Sequence, residues 1–215
     1  MDCDIICPAG PGHQEIYKQA MESVRVASLN KGPFEKVSIQ LIDDTKGELG
    51  RGKARNQGID KSEADWLFFL DADDRMHPNA FKFMQTYCKT KDAIWGNIWE
   101  LSGGVGVWRY QVPRLDSYQD LLAFDPYLTL QMGHFVKRDK VIRFDEKMNC
   151  GEDWKYYLEM WKTNNCIKIE DCLFLNQRGL HSTGPKSATG RDWNDAVGKL
   201  IGEARDDLNT HSNKG

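Results

Sequence analysis

Three carboxylates fall within four consecutive residues at Asp71-Ala72-Asp73-Asp74, directly after the apolar run Trp66-Leu67-Phe68-Phe69-Leu70. Charges of one sign at this spacing repel one another unless a cation offsets them. Oxygen donors of this kind suit Mg²⁺ or Mn²⁺, which can also bridge the oxygens of a diphosphate. The chemistry offered is Lewis-acid help to a leaving diphosphate. The same residues allow a blander reading, a solvated acidic turn in which Asp71 or Asp74 caps the next helix.

A third reading is a metal-dependent phosphohydrolase with Asp71 as nucleophile. Haloacid-dehalogenase-type phosphatases carry such a motif, but on their first strand, and with Thr or Val where this chain has Arg75. Here the cluster follows the third strand-like run. A second carboxylate pair, Glu152-Asp153, opens a helical segment. Its plain role is to complement the helix dipole, worth about 0.3–1 kcal/mol. Its chemical role would be a general base that deprotonates an attacking hydroxyl. Of the five histidines, His134 reads as a packing or acceptor-pocket residue, and His181 lies in the loop Arg178-Gly179-Leu180-His181-Ser182-Thr183-Gly184.

The elements that must position these groups alternate along the first half. Asp4–Cys7 reads as a short strand broken at Pro8-Ala9-Gly10-Pro11-Gly12, and 15–29 as a helix with Ile16, Ala20, Val24 and Ala27 near one face. Val37–Ile42 is β-branched and runs into Asp43-Asp44; 53–60 reads as a helix, and Trp66–Leu70 as a strand buried on both faces. Pro78 is placed for the first turn of the helix that follows. This βαβαβα start predicts an α/β fold with a mostly parallel sheet flanked by helices, and a ligand edge at the carboxyl ends of its strands. Pro8-Ala9-Gly10, Asp43-Asp44 and Asp71–Asp74 should converge there.

The second half is less regular. The spacing predicts a hairpin of 93–101 with 105–112, a short helix over 116–124, a helix over 152–162, a strand over 166–176 and a closing helix over 192–208. The expected organisation is one domain over 1–208, with a nucleotide-binding half at 1–92, an acceptor half at 93–208, and 209–215 as a tail or the start of a linker.

The chain has 215 residues, 29 basic and 32 acidic side chains and a net charge of −3. That balance argues against nucleic acid as a partner. No run approaches the length of a transmembrane span, and the acidic start Met1-Asp2-Cys3-Asp4 does not resemble a secretory signal. The six cysteines form no CxxC pair, which points to reduced thiols in a cytoplasmic protein. Seven tryptophans include Trp95, Trp99 and Trp108 on the expected hairpin. Indoles stack on sugar C–H faces, although core packing is their commoner use.

Four segments in order resemble the GT-A-fold glycosyltransferases, most closely the inverting family 2 group. They are Ile5-Ile6-Cys7-Pro8-Ala9; Gly50-Arg51-Gly52-Lys53-Ala54-Arg55-Asn56-Gln57-Gly58-Ile59; Phe68-Phe69-Leu70-Asp71-Ala72-Asp73-Asp74 followed by Pro78; and Phe144-Asp145-Glu146 followed by Gly151-Glu152-Asp153-Trp154. The resemblance runs from Asp4 to about Ser187 and reaches the N-terminal domains of chlorella-virus glycosyltransferases. Those would lie in host cytoplasm and carry further domains C-terminally.

The resemblance implies a nucleotide diphosphate sugar as donor, UDP-sugar favoured, a glycan or other hydroxyl as acceptor, and Mn²⁺ or Mg²⁺ as cofactor. It implies that Asp44 or Asp43 accepts from the uracil imide and that Arg55 reaches the base or diphosphate, a helix-surface salt bridge being its plain alternative. Backbone at Pro8, Ala9 and Gly10 would pack against the base. Asp71, with Ala72 beside it, would contact ribose or the metal through water; Asp73 would bind the metal, and His181 would complete its shell. Asp153 would be the base, with Glu152 as substitute. The first loop, Pro8-Ala9-Gly10-Pro11-Gly12-His13, departs from the usual Pro-Thr-Tyr-Asn, so the choice of nucleotide rests less on it. A catalytically idle nucleotide-sugar-binding module of the same fold would share all of these features.

Overall fold

The computed structural model describes residues 1–102, 105–177 and 190–212. In chain order the elements are β1 (Asp2–Ala9), α1 (Tyr17–Ala27), β2 (Lys36–Asp43), α2 (Arg51–Lys61), β3 (Trp66–Phe69), β4 (Arg75–Met76), α3 (Ala80–Met84), β5 (Ala93–Ser102), β6 (Val105–Trp108), α4 (Tyr118–Ala123), a 3₁₀ turn at Pro126–Leu128, β7 (His134–Lys137), α5 (Glu152–Thr163), β8 (Cys166–Gln177) and α6 (Gly190–Ser212).

One sheet runs in the order β2-β1-β3-β7-β5-β8-β4, with β6 added to β5. Side chains alternate across it, as the two-residue period of a strand requires. Ile5 and Phe68 face α1 and α3, where Ala20, Val24, Ala27, Phe81 and Met84 close one core. Ile6 and Phe69 face the other way, toward Ala54 of α2, Leu121 of α4, Trp154, Tyr157 and Trp161 of α5, and Val197 of α6. Full burial of a phenylalanine such as Phe68 or Phe69 contributes about 1.5–3 kcal/mol. β3 can therefore be apolar throughout, because both faces of the sheet are covered.

The sheet is mixed rather than mostly parallel. β1 pairs in parallel with β2 and β3, and β5 with β8. Between them lies β7, antiparallel to both β3 and β5, and β4 pairs antiparallel with β8. Neither β7 nor β4 is evident in the sequence. Both are too short for a periodicity to register, and β7 forms where β3 and β5 accept it on either side.

The hairpin forms, but β6 ends at Trp108 instead of Val112. Beyond it the Gln111 side chain takes over the ladder: its Oε1 accepts from the Ile98 N–H (2.8 Å) and its Nε2 donates to the Ile98 carbonyl (2.9 Å). Lys168, wholly buried, donates to Gln111 Oε1 (3.0 Å) and the Val112 carbonyl (2.6 Å), holding this segment to β8. Pro78 precedes Asn79, the cap of α3, so it sits just outside the helix rather than in its first turn. α6 continues past Leu208 to Ser212, so the expected tail is helical over 209–212. Among the described residues no helix is long and apolar enough to cross a membrane.

Candidate active site

The carboxyl ends of the first three strands meet, as their register dictates. Pro8 lies opposite Ile42 and Ala9 opposite Asp43, and the Asp44 N–H donates to the Ala9 carbonyl (2.8 Å). Ile6 lies opposite Phe69, and the Leu70 N–H donates to the Ile6 carbonyl (3.0 Å), which sets Asp71 beyond the end of β3. Cys7, Ala9 and Ala72 pack together under Tyr17 and Met21. Pro8 is tolerated here because β3 has stopped pairing by that level.

Acidic charge at this edge is only partly offset. Asp74 is buried and its Oδ1 accepts from Asn176 Nδ2 (3.0 Å) and the Gln177 N–H (2.9 Å). Burial, then Asp73 and Asp71, push its carboxyl well above the usual range. Burial and the same three aspartates push the buried Cys7 thiol up as well. Asp71 and Asp73 are half-buried. Among the described residues no three His, Cys, Asp or Glu side chains are grouped as a ready-made metal cage. Asp71 and Asp73 set two carboxylates at one strand end, a donor set that fits a hard divalent cation drawing its other ligands from phosphate oxygens and water.

α2 fastens this edge to the rest of the molecule. Its cap, Gly50, has φ +81°, a left-handed conformation open to glycine. The two oxygens of buried Asp44 accept from the N–H groups of Leu49 (2.8 Å) and Gly50 (2.9 Å). Asp44 is thereby committed to the loop ahead of α2, while Asp43 is exposed and accepts from the N–H and hydroxyl of Thr45. Arg55 is 3% exposed, so the helix-surface salt bridge does not occur. Its Nη2 donates to Asp71 Oδ1 (2.7 Å) and its Nη1 to Glu152 Oε1 (3.3 Å). Asn56 closes a reciprocal pair with Phe144, donating to its carbonyl and accepting from its N–H, each at 2.9 Å.

Arg55 therefore ties the end of β3 to the start of α5. Glu152 is buried against Arg55 and is also approached by Arg51 Nε (3.4 Å), which commits its carboxylate to the bridge. Asp153 is partly exposed and accepts from the Trp154 N–H (2.8 Å). Burial and the neighbouring Glu152 raise its carboxyl from 3.8 to about 6, against the opposing pull of Arg55, the Trp154 N–H and Arg51. A carboxylate that ionises near neutrality suits a general base. The buried hydroxyl of Tyr157 feels Asp153, Arg55 and Asp71 and has no hydrogen-bond partner among the described residues.

Other expected residues divide. Gly10 forms a turn with His13, its N–H donating to His13 Nδ1 (3.2 Å). His134 is a core residue: it stacks on Trp95 at 4.2 Å, and its Nε2 pairs with the Tyr156 hydroxyl (3.0 Å). Burial, then Arg55, hold it neutral. Trp95 is buried too, whereas Trp99 and Trp108 meet edge to face at the surface. His181 lies outside the described residues. Asn56, Tyr157, Asn176 and Gln177 are the contributors to which sequence reasoning gave no role. Asn56 stands in the Gly50–Ile59 segment but its partner Phe144 lies far along the chain, Tyr157 reads only as a core residue of α5, and Asn176 and Gln177 meet Asp74 only once β8 is in place.

The family model for glycosyl transferase family 2 matches residues 26–156, more than half of the chain and a span that holds α2, the acidic edge and Asp153. The chain belongs to glycosyl transferase family 2. This family 2 chain is similar in fold to Staphylococcus aureus TarS 1–349 in complex with UDP-GlcNAc, with TM-score 0.69, 14% identity, and coverage of 95% of this chain and 66% of that one. For the complex of TarS 1–349 with UDP the values are 0.64, 14%, 82% and 60%. For the structure described simply as S. aureus TarS they are 0.63, 15%, 82% and 37%. The chain thus spans less than two thirds of the TarS chains it matches, and at this identity the likeness is one of fold. No curated protein matches it in sequence. Family membership sets aside the phosphohydrolase reading of Asp71, and nothing in these matches supports a viral origin.

Proposed function

We propose that this enzyme transfers a sugar from a UDP-sugar to an acceptor hydroxyl with inversion, with Asp153 as the general base. The observation that carries the reading is the bridge Asp71–Arg55–Glu152, which fixes the first turn of α5 against the acidic end of β3. Glu152 is consumed by that bridge, and its neighbour Asp153 keeps access to solvent and a raised pKa of about 6. Inversion requires a carboxylate on the face opposite the leaving diphosphate. Asp71 and Asp73 stand on the nucleotide side of the bridge, and Asp153 on the acceptor side.

Asp73, with Asp71, would hold Mn²⁺ or Mg²⁺; bound there, the ion neutralises charge on the leaving diphosphate. Arg55 orients Asp71 through its Nη2. Pro8, Ala9 and Gly10 form the wall for the base, with Asp43 the accessible carboxylate for the uracil imide and Asp44 holding its loop. Uridine is favoured because TarS, which shares the fold, has been solved with UDP and with UDP-GlcNAc. Residues 1–92 would be the donor half and 93–208 the acceptor half of one domain.

Single-turnover transfer at saturating UDP-sugar tests the assignment. Asp153→Asn is expected to slow transfer by about 10²–10⁴ with UDP affinity held within a few-fold. Near-wild-type transfer by this variant would remove Asp153 from the chemistry, and preferential binding of GDP or ADP over UDP would overturn the nucleotide.

A further inference from the structure

A cleft of about 300 Å³ opens between the Pro126–Leu128 turn and the first turns of α6, lined by Asp125, Tyr127, Trp193, Asn194, Val197 and Gly198. We propose that it is an acceptor subsite that binds a neutral pyranose ring; the proposal rests on the transferase reading above. Its volume is at the small end of ligand pockets, enough for one sugar ring with its substituents.

The walls and rim have the chemistry such a ring needs. Trp193 is anchored in the core with Val197 and Ile201, so its indole is a fixed wall. Tyr127 is clamped on one face by the Arg109 guanidinium, 3.6 Å from the ring centroid, which leaves the rest of the ring to line the cleft. Aromatic surface of this kind packs against sugar C–H faces. Asp125 and Asn194 are exposed at the rim and offer a carboxylate and an amide to hydroxyl groups. The Tyr127 N–H, donating to Asp125 Oδ1 (2.8 Å), fixes the direction of that carboxylate. No lining side chain is basic and Asp125 is acidic, so the lining itself favours a neutral ligand over a phosphorylated one.

Position supplies the second argument. Val197 and Ala196 pack against Gly151, at 3.5 and 3.4 Å from where its Cβ would stand. Gly151 caps α5 and is followed by Glu152 and Asp153. A wall of the cleft thus touches the turn that carries the proposed base.

Gly198 provides the test, because a Cβ there would meet no atom within 4 Å. Gly198→Phe starts from open space and brings a ring to the lining of the cleft. The full chain would be labelled with 5-fluorotryptophan, its Trp193 resonance assigned through Trp193→Phe, and titrated with methyl α- and β-pyranosides in the presence of UDP. At least one glycoside is expected to move the Trp193 line saturably, and Gly198→Phe to weaken that binding at least tenfold, with UDP affinity as the control for an intact donor site. A Trp193 line that no glycoside moves, or one that moves equally in Gly198→Phe, overturns the subsite. If the wild type releases no UDP from UDP-sugars with these glycosides, the transferase reading fails, and the Trp193 titration still judges the cleft by itself.

Discussion

Asp153→Asn should make the protein more stable as it makes it less active. The carboxyl is raised from 3.8 to about 6, chiefly by burial and by Glu152. Its folded-state pKa therefore exceeds its unfolded value, and the fold holds the protonated form more tightly than the unfolded chain does. The stability this contributes is fully present below pH 3.8 and is lost as pH rises through 6. At pH 7.5 the ionised carboxylate is thus a burden on the fold. A shift of about two units corresponds to at most about 3 kcal/mol. Asp153 is partly exposed, and solvent screening reduces that to the order of 1 kcal/mol.

Asparagine removes the charge and keeps an oxygen for the Trp154 N–H. Urea denaturation at pH 7.5 should show Asp153→Asn more stable than wild type by about 1 kcal/mol, a rise of roughly 2–4 °C in Tm. At pH 4 the gain should largely vanish. Glu152→Gln should have the opposite sign at pH 7.5, because it deprives buried Arg55 of an ion-pair partner. A loss of stability in Asp153→Asn at pH 7.5, or an equal gain at both pH values, would refute the electrostatic account.

The remaining expectations are simpler to read. Arg55→Met leaves Glu152 buried with only the more distant Arg51, and should cost about 3–5 kcal/mol, with part recovered by adding Glu152→Gln; a fall in Tm under about 2 °C would show that the bridge does not hold α5. Gly58→Ala would gain roughly 1 kcal/mol from helix propensity, but its Cβ would stand 2.3 Å from Ile6 Cγ2. Overpacking of about 1–3 kcal/mol should win in a denaturant titration, and net stabilisation would mean that α2 can move off β1. Asp73→Asn should lower Mn²⁺-dependent UDP affinity at least tenfold by calorimetry with unchanged circular dichroism, and an unaltered metal dependence would put the ion elsewhere.

The parts of this molecule legible in sequence are those written in local order. The run Trp66–Leu70 fixes a strand buried on both faces, and the acids after it must sit at the strand's end whatever lies beside it. α5 is legible because Trp154, Tyr157, Leu158 and Trp161 share one face over about two turns. The hairpin is legible for its first four pairs and fails where a side chain, Gln111, substitutes for backbone. β7 and β4 carry no period, because four residues and two residues cannot show one. Asp74 reads from sequence as a third metal carboxylate. Its engagement with Asn176 and Gln177 depends on β8 arriving beside it. Arg55 reads as a donor contact or a surface charge, and its burial follows only once α5 has delivered Glu152.

In the segment Gly50–Ile59 only Arg55 reads from sequence as a ligand contact. Four of its residues answer separate packing demands. Gly50 permits the left-handed cap that Asp44 holds. Gly58 lets α2 approach Ile6 of β1, and Asn56 locks the backbone at Phe144. Arg55 then spans from Asp71 to Glu152, which a planar guanidinium can do and a single ammonium cannot do as well. One helix thereby sets the relation between the acidic edge of β3 and the turn bearing Asp153. Chemistry at a transferred carbon is sensitive to misplacements of about 1 Å. A buried two-sided ion pair, costly to assemble, offers directional constraint there that apolar packing alone would not give.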